Sequence, residues 1–79
     1  MKKIRLDVFK QLWIEQETDN SDDKPQLIEE IKDAKTFKDL FASLALWSTK
    51  PIEERVNSFV LRNGYELREE DEESLMDII

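Results

Sequence analysis

An all-α fold, a small bundle of four or five short helices with a helical hairpin at its centre, is what this sequence predicts, and three observations carry the prediction. Apolar residues recur at steps of three and four in separate stretches, which places them on one side of a 3.6-residue helix. Helix start signals precede these stretches, and two prolines and the only glycine punctuate them. The chain has 79 residues, 39% of them charged, and a chain this short hides about 60–65% of its unfolded surface on folding. Residues 1–79 therefore read as a single helical domain, closed by an acidic segment at 65–79.

Residues 4–17 form the first apolar arc. Ile4, Val8 and Leu12 share one helical face, and Leu6, Phe9 and Trp13 a neighbouring one. A helix is expected, although the alternation Ile4, Leu6, Val8 also suits a short strand. Core burial is favoured over partner binding for this arc, because a small bundle needs its large side chains inside. Residues 18–24 are a polar linker, the expected mobile loop. Pro25 suits the first turn of a second helix with the stripe Leu27, Ile28, Ile31 and Ala34.

Thr36 and Asp39 make a capping box at the head of the third helix, in which Phe37, Leu40, Phe41, Leu44 and Trp47 fall on one side. No charge follows Asp39 until Lys50, so this is the central core element. Ser48 or Thr49 can cap the fourth helix, with Pro51, Glu53 and Glu54 in its first turn and Ile52, Val56, Phe59 and Val60 as its buried stripe. Asn63-Gly64 ends it, glycine supplying the left-handed conformation that a C′ position favours. The third and fourth helices thus form a hairpin and should pack together. Acids favour a helix N-terminus, so Glu69 to Asp71 can open a last helix that docks through Leu75, Met76, Ile78 and Ile79, a frayed end being the alternative.

Composition restricts function. With no cysteine and no histidine, disulfides, thiolate chemistry and the usual zinc and haem ligands are excluded. There is no Gly-rich phosphate loop and no nucleophile paired with a base, so no catalysis, cofactor or metal is expected. A net charge of −7 argues against nucleic acid, whose phosphates need Lys and Arg, and favours a protein partner with a basic surface. No apolar run approaches the ~18–20 residues that span a bilayer, and Arg5, Asp7 and Lys10 interrupt what would be a signal peptide's apolar region, so cytoplasmic residence is expected.

Four features are candidate sites. Asp19, Ser21, Asp23 and Glu30 match positions 1, 3, 5 and 12 of a calcium-binding loop, yet Lys24 stands where such a loop turns on glycine, which favours an Asp-rich capping linker. Arg55 and Arg62 on the fourth helix would suit a DNA-reading helix-turn-helix, but Glu53 and Glu54 share that helix and no basic patch surrounds it. Leu46 and Leu61 point away from the buried stripes and are candidate anchors for a partner, or simply exposed leucines. The run Glu69, Glu70, Asp71, Glu72, Glu73 focuses negative potential that could enter a basic groove by imitating a nucleic-acid backbone, or serve only solubility. Residues 65–79 hold one arginine against seven carboxylates, −6 of the total −7.

The segment from Leu27 to Thr36, Leu-Ile-Glu-Glu-Ile-Lys-Asp-Ala-Lys-Thr, and the later segment from Asn63 to Leu75, Asn-Gly-Tyr-Glu-Leu-Arg-Glu-Glu-Asp-Glu-Glu-Ser-Leu, resemble the helical leader regions of Nif11-type peptide precursors. The resemblance covers under a third of the chain, with intruding residues between its halves and no double-glycine cleavage pair. It implies a leader recognised by a peptide-modifying enzyme. The residues themselves favour a small acidic protein-binding module, a bacterial or phage regulator or inhibitor, with an antitoxin or immunity protein as a further alternative.

Overall fold

The structure, a computed structural model, describes residues 2–18, 24–48 and 51–78. Five helices and one short strand pair follow in the order β1 (Lys2–Lys3), α1 (Leu6–Glu17), α2 (Lys24–Asp33), α3 (Phe37–Leu46), α4 (Ile52–Arg62), β2 (Tyr65–Glu66) and α5 (Glu69–Ile78). The all-α bundle expected from the helical stripes is the architecture present.

α3 is the hub. It begins as its sequence dictates, with the Thr36 hydroxyl accepting the Asp39 N–H at 3.1 Å. Phe37, Leu40, Phe41 and Leu44 are all buried. Its most extensive packing is against α5, with α2 next and its hairpin partner α4 third. The acidic C-terminal segment is therefore a docked part of the bundle. Replacing Thr36 by Ala removes the cap and should lower stability by about 1 kcal/mol, read from urea denaturation; no change would mean that the first turn of α3 is held by packing alone.

Four phenylalanines and Trp13 make one aromatic cluster centred on Phe9. Its ring stacks on Trp13 at 5.5 Å and meets Phe37, Phe41 and Phe59 edge-on at 5.0–5.9 Å between centroids. Such pairs prefer offset or edge-to-face arrangements, because ring faces are negative and ring edges positive. α1 thus turns Phe9 and Trp13 inward and leaves Val8 and Leu12 partly buried at the margin. Trp47, expected in the core, is also only partly buried, since its indole N–H donates to the Glu30 carboxylate on α2. Of the α2 stripe, Leu27, Ile31 and Ala34 are buried and Ile28 is intermediate.

Ile4 is not on the first helix. Its backbone N–H donates to the Glu66 carbonyl at 3.0 Å, extending the parallel pairing of Lys2 with Tyr65 and Lys3 with Glu66. Its side chain is fully buried. The strand pair ties residues 2 and 3 to the connection between α4 and α5, and Lys3 and Glu66 add an ion pair at 3.0 Å. The hydrogen bond from Lys3, and then its charge, hold the Glu66 carboxyl below the ordinary carboxylate value. A depressed folded-state value means that the pair's contribution is present above the unfolded pKa and is lost as pH falls through the folded one. Both side chains are about half exposed, so this contribution is that of a surface pair.

The helix ends are satisfied by particular groups. The Lys10 ammonium donates to the carbonyls of Lys32 and Ala34 at the end of α2, where the macrodipole is negative. Thr18 is buried, its hydroxyl returned to the Ile14 carbonyl. α4 starts from Pro51 without a side-chain cap, and Ser48 instead accepts from the Arg55 guanidinium at 3.0 Å. Thr49, the other expected cap, lies outside the described residues. α4 ends as expected, with Gly64 at φ +81° and its N–H on the Leu61 carbonyl.

Candidate functional site

The acidic run does not present one surface. α5 opens on it, and acids in a first helical turn complement the positive end of the helix. The Arg68 carbonyl accepts the N–H groups of Asp71 and Glu72 at 3.0 Å each, which places Arg68 at the cap. Its guanidinium turns back to bond Asp71 at 2.9 Å and Glu70 at 3.1 Å. The hydrogen bond that Arg68 donates to Asp71, then the charges of Asp71 and Glu70, raise the Arg68 pKa above its ordinary value.

Asp71 departs from the expectation. It is buried, with 5% of its surface exposed, and so is withdrawn from any partner surface. The spacing of three residues brings its carboxylate within reach of Arg68, and the packing of α5 on α3 buries it. Glu69, Glu70, Glu72 and Glu73 remain exposed. Arg68 borders the edge formed by Glu69, Glu70 and Glu73.

Further along α5 the surroundings change. Leu75 is buried beneath α5, and Met76, expected to dock beside it, instead points outward with 60% of its surface exposed. One helix cannot turn adjacent positions to the same side, because each residue advances about 100°. Met76 shares a shallow cleft with Glu69, Glu72, Glu73 and Asp77 on α5, and a second with Leu75, Glu72 and, from α4, Glu53 and Asn57. No Lys or Arg lines either cleft. The charged residues that line these two clefts are therefore all acidic.

The other predicted residues are placed as follows. Leu46 and Leu61 are exposed at 76% and 57%, and neither lines the α4/α5 clefts. Arg55 and Arg62 are engaged by residues of the same chain: Arg55 lies 5.1 Å over the Trp13 ring, while Arg62, at the surface, lies 5.8 Å over Phe59, donates to Gln16 and pairs with Glu17. Of the calcium spacing, Asp19, Ser21 and Asp23 lie outside the described residues, and Glu30 is the acceptor for Trp47. Among the described residues no group of three or more Asp and Glu is arranged to hold a metal ion, and no helix is long and apolar enough to cross a membrane.

Met76, expected in the core, and Glu53, expected only to open α4, line these clefts instead. The spacing of Glu69, Glu72 and Glu73 before Met76, at seven, four and three residues, does carry the signal that they surround it on one helix. Glu53 and Asn57 carry none, since only the tertiary fold brings them into a cleft with α5 residues. A further cleft of about 430 Å³ is lined by Lys3, Arg5, Lys10, Arg68 and Asp7. Its cations are engaged within the fold, on Glu66, Asp7, the α2 carbonyls and Asp71. No protein-family model matches the chain, and neither the curated proteins nor the solved structures contain a match to it.

Proposed function

We propose that the chain is a stoichiometric protein-binding module that receives a basic surface of its partner against α5, as a small regulator or inhibitor does. The carrying observation is the set of carboxylates around two clefts that no cation lines. Burial of Asp71 and Leu75 supports the same reading, because it fixes α5 on the body. The exposed acids then hold one arrangement, and little ordering cost is incurred on association.

The test is kinetic. A basic partner retained from cell lysate by the immobilised protein would be identified, purified and mixed with the parent chain and with a variant carrying Glu69→Gln, Glu70→Gln, Glu72→Gln and Glu73→Gln. Exposed charge acts over a screening length that shrinks from about 10 Å to about 3 Å between 0.1 M and 1 M salt. The variant should associate about ten-fold more slowly or worse at the lower salt, with the difference closing at the higher. Equal rates at both salts would reduce the acidic run to a solubility device.

A further inference from the structure

Met76 is one of the three large apolar side chains that the described residues expose, and it lines two clefts with carboxylates. The cleft beside it, about 230 Å³, lies between two helices, with Leu75 at its base, Glu72 on one wall and Glu53 and Asn57 on the other. An unbranched thioether adapts its shape to whatever apolar group is laid on it. Residues of both α4 and α5 line this cleft, so an amphipathic helix laid along α5 would meet both. Charge decides the occupant: with Glu53, Glu72, Glu73 and Asp77 around Met76 and no Lys or Arg lining the clefts, an acidic or neutral helix would bring like charges together or leave carboxylates desolvated.

We infer that the α4/α5 groove is the docking site for a basic amphipathic helix, which sets an apolar side chain on Met76 and flanks it with Lys or Arg that pair with Glu53, Glu72 and Asp77. This deepens the proposed function and rests on it. It moves the apolar anchor from Leu46 and Leu61 to Met76, and it gives α4 a share in recognition.

The experiment uses the full chain and two synthetic probes of equal positive charge: an amphipathic helical peptide of Lys and Leu, and a Lys/Gly peptide without an apolar face. Affinities are measured by calorimetry for the parent, Met76→Ala, Glu53→Gln and the double variant Leu46→Ala, Leu61→Ala. Binding is also followed by the Met methyl resonances, of which the chain has two. The Lys/Leu peptide should bind about ten-fold tighter than the Lys/Gly peptide and shift the Met76 methyl signal. Met76→Ala should remove that preference, the scale of effect set by withdrawing one methionine side chain from a contact. Glu53→Gln should weaken both peptides, and the leucine double variant neither. Because Met76 is exposed, circular dichroism of Met76→Ala should match the parent. If both peptides bind equally well, with the Met76 methyl unmoved, or if the leucine variant alone loses the preference, the groove is not the site, although the acidic-surface reading stands. If neither peptide binds, both readings fall together.

Discussion

Phe9→Ala is expected to lose about 3–5 kcal/mol of folding stability, the range for truncating a buried phenylalanine. A domain of this size has a total of roughly 4–12 kcal/mol, at about 0.05–0.15 kcal/mol per residue. The variant should therefore be partly or wholly unfolded at 37 °C. Phe9 is fully buried and touches four other aromatic rings, from α1 itself, α3 and α4. Its neighbours are rings of fixed shape, so a hole at this point cannot close by rotation of a flexible side chain. Urea denaturation followed by tryptophan fluorescence reads the loss, because Trp13 stacks on the deleted ring. Val8→Ala is the control: Val8 is partly buried at the margin of the cluster, so about 1 kcal/mol or less is expected. Equal losses at the two positions would mean that α1 does not present the face described.

Leu75→Ala is expected to cost about 2–5 kcal/mol and to have a second effect that a core mutation elsewhere would not. Leu75 is 2% exposed and is the fully buried apolar residue of α5, the helix that packs most extensively on α3. Loss of this anchor should loosen α5 before the remaining helices, so amide exchange should accelerate in residues 69–78 more than in α3 or α4. The acidic surface is affected in turn. Every carboxylate and Met76 is retained in this variant, yet affinity for the Lys/Leu peptide should fall, since the groove exists only while α5 lies beside α4. Uniform exchange across the domain would show that α5 and the body unfold as one unit. Undiminished peptide affinity in a variant with a mobile α5 would show that charge alone, without the groove, does the binding.

What the sequence by itself determined is the local part. Helical class, the start of α3 at Thr36, the stop of α4 at Gly64, and the buried stripes of α3 and α4 all follow from preferences acting over about four residues. Exposure of Leu46 and Leu61 follows equally, because a residue opposite a buried stripe has nowhere else to point. Tertiary structure decided the rest. α1 offered two adjacent apolar faces, and only the aromatic rings of α3 and α4 made the Phe9 and Trp13 face the inner one. Lys2 and Lys3 carry no strand pattern, and they pair because the fold brings residues 65 and 66 alongside them. The candidate site divides in the same way. Arg68 and Asp71 are within reach of each other on any helix, but which of them is buried depends on the body beneath α5. Five consecutive acids look uniform as a string, whereas docking through Leu75 sorts them by angle into one that is buried, one paired with Arg68 at the surface, and others that remain beside Met76. Glu53 joins that group from a different helix, and no rule of spacing within a chain can supply a neighbour that only packing brings near.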